Sequence, residues 1–259
     1  MERISWEFKD KIRRQSPGSD KCTEFIAKKL KEISEKEKVT NKVASEKIKI
    51  LNIACGCGYE TLVLAKNFNA DIIALDASET YLNKLIKMKE LEDELKNIEI
   101  TTMTENMEDI PLKSNSCDLI WCEGSINILG FKRALKLWKR LLKKDGYMVV
   151  SDYTLKTNHS YNESEDIIRT FYPEIKNLNE NKALAKKLGY ELVDTFTLGD
   201  DAWINEFITP ILDAVNEMER KFSRKKAYLD YLDEIINSVD TIMQYREEID
   251  FVFYIFKVK

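Results

Sequence analysis

Two hydrophobic periodicities alternate along this chain. Compact apolar runs of strand type, at Ile50–Ile53, Asp71–Leu75, Cys117–Cys122 and Tyr147–Asp152, are separated by stretches whose apolar positions recur at helical spacing. Leu62, Leu64, Ala65 and Phe68 form one such stripe. From Phe131 to Lys144 a second stripe of Ala134, Leu135, Leu137, Trp138, Leu141 and Leu142 is set among Lys and Arg, and Asp145-Gly146 is expected to close that helix. Thr102 to Leu112 reads as strand, loop and turn, and Ile249–Val258 is strand-like throughout. Strands alternating with helices predict an α/β chain built on a largely parallel sheet. Residues 1–45 read as a helical N-terminal cap, 46–152 as the core, and 153–259 as a second half with a helical insertion at 200–248. The Lys/Glu-rich run 28–49 reads as a surface helix and its link to the first strand.

The sharpest local feature is Ile50-Leu51-Asn52-Ile53-Ala54-Cys55-Gly56-Cys57-Gly58-Tyr59-Glu60-Thr61. A strand ends in two glycines one residue apart and a helix begins at once. Lacking Cβ atoms, Gly56 and Gly58 let backbone approach a ligand, and the free N–H groups of the helix start point the same way. The next strand ends in Asp76, placed to accept hydrogen bonds from both hydroxyls of a ribose. A nucleoside-containing cofactor is therefore expected. A dinucleotide site wants a third small residue where Thr61 stands, and a phosphate-binding loop wants a Lys after the glycines.

The motif instead resembles the first motif of class I S-adenosylmethionine-dependent methyltransferases, an acidic residue followed by x-Gly-x-Gly-x-Gly, with Asn52 at the acid and Ala54 at the first glycine. Later segments agree: Asn106-Met107-Glu108-Asp109-Ile110-Pro111-Leu112, Ser116-Cys117-Asp118-Leu119-Ile120, and Leu142-Lys143-Lys144-Asp145-Gly146 are similar to the family's Asp-(Ala/Met)-x-x-Leu-Pro, Ser-Phe-Asp-Leu-Val and Leu-Lys-Pro-Gly-Gly. Arg14-Gln15-Ser16-Pro17-Gly18-Ser19, Glu123-Gly124-Ser125-Ile126, Tyr172-Pro173-Glu174-Ile175, Leu188–Leu192 and Ala202-Trp203 with Pro210 resemble one bacterial subgroup of it, akin to methyltransferase types 11 and 25 and mostly of unassigned substrate. The resemblance implies a Rossmann-like seven-stranded sheet with an antiparallel last strand lying between earlier ones and helices on both faces. It implies S-adenosyl-L-methionine as cofactor and S-adenosyl-L-homocysteine as product. Cofactor contacts would come from Asn52, Ala54, Cys55, Gly56 and Gly58, from Asp76 and Ala77, from Asn106 and Met107 beside the adenine, and from Cys122 and Glu123.

Composition narrows the alternatives. A hydrophobic fraction of 44% is too high for a disordered chain, and no apolar run approaches the ~20 residues of a membrane span. Met1–Trp6 lacks a signal-peptide core, so a cytoplasmic protein is expected. A net charge of −4 argues against nucleic acid as partner. The five cysteines, at 22, 55, 57, 117 and 122, suit a reducing compartment. Cys55-x-Cys57 lacks the usual zinc spacing and Cys117 and Cys122 fall at opposite ends of a strand, so no metal is expected.

The expected function is methyl transfer to N or O of a small organic molecule by in-line displacement, in a monomer or homodimer. Glu123, directly after the fourth strand, and His159, after the fifth, are the candidate catalytic groups. Trp6, Tyr161, Tyr172, Trp203 and Phe207 are the candidate acceptor-pocket aromatics, drawn from the two non-core sections. A non-catalytic S-adenosylmethionine sensor, prompted by Asn52 and Asn106, and a nicotinamide-dependent oxidoreductase are the competing classes.

Overall fold

The computed structural model describes residues 2–36, 47–156 and 163–259. Its sheet follows the order β3-β2-β1-β4-β5-β8-β7, with β1 at Ile48–Ile53, β2 at Ala70–Asp76, β3 at Ile100–Thr104, β4 at Cys117–Cys122, β5 at Leu142–Leu155, β7 at Tyr190–Thr197 and β8 at Ile249–Val258. An eighth strand, the two-residue β6 at Lys176–Asn177, pairs with the end of β5 and adds to the expected seven. β1 to β5 run parallel, whereas β8 is antiparallel to both β5 and β7. Order reverses between β1 and β4, which opens a crevice at their carboxyl ends.

Helices cover both faces. α1 spans Glu2–Lys9 and α2 Asp20–Lys36; α3 at Tyr59–Asn67 follows the glycine turn and packs with α2. α4 lies at Glu79–Leu91, α5 at Ile126–Leu129 and α6 at Phe131–Trp138; α7 at Glu163–Phe171 and α8 at Leu178–Lys187 follow. The stripe Phe131, Ala134, Leu135 and Trp138 is buried, as its spacing requires. The expected helix to Lys144 ends early, however. A single 3-10 turn at Lys139–Leu141 follows α6, and Leu142 already pairs with Cys117 in β5. Asp145 takes φ +63° and the β4–β5 register shifts between Cys117 and Leu119. Pairing with a buried neighbour strand overrides the local helical pattern there.

The insertion forms α9 at Asp200–Trp203, a wide π turn at Ile204–Ile208, α10 at Thr209–Phe222 and α11 at Lys226–Gln244. Pro210 lacks the N–H that would continue the ladder, and the widened turn just ahead absorbs it. This insertion and α1 are not separate covers. Ile4, Phe8 and Ile12 share one buried cluster with Phe207, Met218 and Leu232. Among the described residues no helix is long and apolar enough to cross a membrane.

Gly58 sits at φ +77°, and a Cβ there would lie 2.5 Å from Leu85 Cδ1. Gly58→Ala should therefore cost about 1–3 kcal/mol through overpacking, seen as a lower urea midpoint; an unchanged midpoint would contradict this account of the turn.

Candidate active site

The carboxyl ends of β1, β2 and β4 open into a cleft of about 400 Å³. Its floor is the turn from Ala54 to Gly58, one wall is Leu75–Ala77, another is Glu105–Met107, and Glu123–Ser125 face them. Gly56 and Gly58 hold left-handed backbone at φ +53° and +77°, and Ala54 does so at +54°, which explains why a glycine is the usual residue at that position. Asp76 Oδ2 accepts from the Gly56 N–H at 2.8 Å and Oδ1 from Ser78 N–H at 2.8 Å. Each oxygen keeps one lone pair for a ligand. Trp138 Nε1 donates to the Met107 carbonyl at 2.9 Å, and Arg140 donates to the Ile110 and Leu112 carbonyls, so the end of α6 fixes the adjoining wall.

Two expected cofactor residues are placed otherwise. Asn52 is fully buried beneath the turn and outside the cleft lining. Its Nδ2 donates to Glu60 Oε1 at 3.0 Å and Thr61 Oγ1 at 2.8 Å, and its Oδ1 has no partner. A side chain in the middle of a buried strand end points into the protein, not across the turn. Cys122 is likewise buried, among Ile53, Ile126 and Val150. Asn106 lines the cleft as expected, with its Oδ1 accepting from Glu108 N–H at 2.9 Å in a local turn. Ala54, Cys55, Gly56, Gly58, Asp76, Ala77, Met107 and Glu123 all line the cleft as expected.

Sequence reasoning missed the charged partners of this turn. Glu60, in the first turn of α3, lines the cleft and is buried; burial pushes its carboxyl up to about 7, against the opposing charge of Arg14. Arg14, with Gln15 and Ser16, comes from the N-terminal section and roofs the cleft. Arg14 Nη1 donates to Glu123 Oε1 at 2.6 Å, and Nη2 to Asp20 Oδ1 at 2.9 Å and Thr23 Oγ1 at 3.0 Å. Burial opposes the Arg14 charge, yet Glu123, Glu60 and Asp20 together raise its pKa. Thr23 and Trp121 Nε1 also donate to Glu123. Glu123 therefore meets the opening with a carboxylate already committed to three donors, which argues against a free general base. Only the pairing of Arg14-Gln15-Ser16-Pro17-Gly18 with Glu123-Gly124-Ser125 as two motifs of one subgroup hinted at this contact.

The acceptor-pocket candidates divide. Tyr172 lines a second cavity, of about 590 Å³, beside the end of β5. Trp203 is instead fully buried, with Arg246 4.5 Å above its ring and Tyr153 and Phe251 at its edges. Phe207 is buried against α1. Trp6 packs 5.2 Å from Tyr81 and lines neither space. Trp203 belongs to the core against the sheet and Phe207 to the separate cluster of the cover. His159 and Tyr161 lie outside the described residues.

Residues 51–150 match the family model described as a methyltransferase domain. Together with the strand order above, that match gives the chain a Rossmann-like methyltransferase fold. An uncharacterized protein of Haemophilus influenzae is 24% identical over 192 residues, 71% of this chain and 70% of its own. YjhP from E. coli superposes with a TM-score of 0.79 at 14% identity, covering 99% of this chain and 100% of its own. A methyltransferase from Geobacter sulfurreducens, solved in complex with S-adenosyl-L-homocysteine, gives 0.77 at 14% identity over 99% and 98%. At these identities the structures speak for the fold.

Two outcomes follow from the buried charges. Arg14→Met strands Glu123 and should destabilise the fold by about 3–5 kcal/mol, with Arg14→Met/Glu123→Gln recovering much of it; additive losses in a double-mutant cycle would disprove the coupling. A carboxyl raised from 4.5 to about 7 destabilises the fold as pH climbs through that window, fully above it. Glu60→Gln should thus stabilise by up to about 3 kcal/mol near pH 8 and by almost nothing near pH 4.5, measured by urea unfolding at both values.

Proposed function

We propose that the cleft binds S-adenosyl-L-methionine and that the protein transfers its methyl group to N or O of a small organic molecule. The observation that carries this reading is the bare Gly56/Gly58 turn facing Asp76, whose two oxygens are held apart by backbone N–H groups and left able to receive a ribose diol. Support comes from the Geobacter sulfurreducens structure with S-adenosyl-L-homocysteine. The remaining lining suits a zwitterionic tail. Arg14 and Gln15 stand on the roof for a carboxylate, and Glu60 on the floor for an ammonium. Bound there, the donor supplies a methyl carbon on a positive sulfur, displaced in line by the acceptor. The protein's share is to align the two atoms and exclude water, worth about 7–11 kcal/mol when positioning is good.

Glu60 also weakens the case for a non-catalytic sensor. That reading drew on the lost acid at Asn52, and Glu60 returns a carboxylate to the same turn through a hydrogen bond from Asn52 itself. We place the protein in the cytoplasm, with a small-molecule partner and neither nucleic acid nor membrane, as a monomer or homodimer, and treat residues 1–259 as one methyltransferase unit.

Calorimetry with S-adenosyl-L-homocysteine tests the reading. The parent should bind it, Asp76→Ala should bind at least about tenfold more weakly through lost charge-assisted hydrogen bonds, and NADH should give no thermal shift. Absence of binding heat, or equal affinity in the variant, would remove the proposal. Incubation with labelled donor and a cell metabolite extract should yield a labelled small molecule.

A further inference from the structure

Resting on the methyltransferase reading, we propose that the cavity beside β5 is the acceptor site, that it takes an uncharged hydroxyl compound on a flat apolar frame, and that Tyr172 and Asp152 relay the hydroxyl proton away. The cavity adjoins the cleft through one short segment: Ser125 and Ile128 line the cleft, and Asn127 between them lines the cavity. Gly124 N–H donates to Ser151 Oγ at 2.8 Å, which ties the cleft wall to the residue before Asp152.

The lining defines the ligand. Tyr153, Tyr172 and Tyr245 offer flat walls, and Ile168, Ile175 and Ile242 an apolar surround. The polar groups present are neutral, from Asn127, Asn237, Ser238 and Thr241, and no charged side chain lines it among the described residues. A cation or anion entering would lose its hydration without a counter-charge. An alkylamine is protonated at neutral pH, so an uncharged hydroxyl compound is the better fit. A hydroxyl, though, is a poor nucleophile until its proton leaves.

The relay supplies that step. Tyr172 lines the cavity and its hydroxyl donates to Asp152 Oδ2 at 2.7 Å. Asp152 is buried, and its Oδ1 has no hydrogen-bond partner, so this carboxylate is not a satisfied structural group. As the acceptor O–H bond breaks, its proton passes to Tyr172 Oη while the Tyr172 proton passes to Asp152 Oδ2. The oxygen's electron pair forms the O–CH3 bond, the S–CH3 bond breaks with its pair to sulfur, and Asp152 later releases its proton to water. Tyr172 touches the acceptor; Asp152 is a positioning residue acting through it. Burial pushes the Asp152 carboxyl up to about 7, with Tyr172, the Tyr153 backbone and Lys176 opposing and Glu174 adding to the rise; Cys122 of β4 and Tyr254 of β8 also face it.

The probe is 2-naphthol, with 2-naphthoate as its anionic counterpart, titrated calorimetrically into protein saturated with S-adenosyl-L-homocysteine. Naphthol should bind and naphthoate should not. Ionised Asp152 strengthens the hydrogen-bond chain, so naphthol affinity should rise about tenfold from near pH 6 to near pH 8. Asp152→Asn, which keeps an acceptor for Tyr172, should bind with no pH dependence, and Tyr172→Phe should lose it too if Asp152→Asn fails to fold. Naphthoate binding as well as naphthol, or a flat profile in the parent, overturns the proposal while leaving the cofactor reading intact. Failure of S-adenosyl-L-homocysteine itself to bind overturns both.

Discussion

The cleft depends on one buried ion pair, Arg14 with Glu123. Neither charge is well solvated, and each would be costly alone. Together, with Asp20, Thr23 and Trp121 completing the hydrogen bonds, they anchor the N-terminal segment across the mouth of β4. Close approach is possible only because two glycines stand at the contact. A Cβ on Gly124 would fall 1.8 Å from Ser16 Oγ, and one on Gly18 would fall 3.1 Å from Glu123 Oε1. Both glycines have positive φ as well. Two stretches far apart in the chain are thus halves of one joint, and that joint turns an open sheet edge into a roofed cleft.

Much of this was legible from pattern alone, for a physical reason. Strands buried on both faces, such as Cys117–Cys122, must be apolar throughout, and a glycine turn followed by a helical stripe has few alternatives. Asp76 could be placed because its distance from the turn is set by one strand and one helix. The antiparallel position of β8 came from resemblance and is what the sheet has. The misplacements share another cause. Leu142 and Lys143 carry a helical stripe, yet they leave α6 because Cys117 offers a ladder partner and Asp118 an ion-pair partner to Lys143 at 2.7 Å. Trp203 and Phe207 read equally as pocket or core, since periodicity shows which face is apolar but not what meets it. Charge networks such as Arg14–Glu123 join residues whose spacing in sequence carries no signal at all.

Asn52 and Glu60 show how a local departure can be absorbed. An acid at the strand position would be buried next to Glu60, and two carboxylates in one low-dielectric site repel strongly. With Asn52 there, the amide donates to Glu60 and Thr61 and joins the strand to α3. The negative charge is carried instead by Glu60, in the first turn of α3, on the cleft lining. Burial leaves Glu60 poised to gain or lose a proton near neutrality, so a cation arriving at this floor would find a group whose ionisation it can itself drive.

The two spaces differ in kind, and the difference follows from which elements form them. The cleft is assembled from strand ends, a helix start and a basic N-terminal segment, all rich in backbone donors and charge, and it suits a polar, charged ligand. The neighbouring cavity is assembled from the inner faces of α7 and α11 and the end of β5, which are apolar because they pack the cover onto the sheet. On the proposed reading, charge in the one and its absence among the described lining residues of the other would set the reacting atoms at a boundary between polar and apolar surroundings. A positive sulfur facing that boundary would lose its charge on transfer, and a low-dielectric acceptor side would favour the neutral product. Segment 124–128 borders both spaces, with Gly124, Ser125 and Ile128 on the cleft and Asn127 on the cavity.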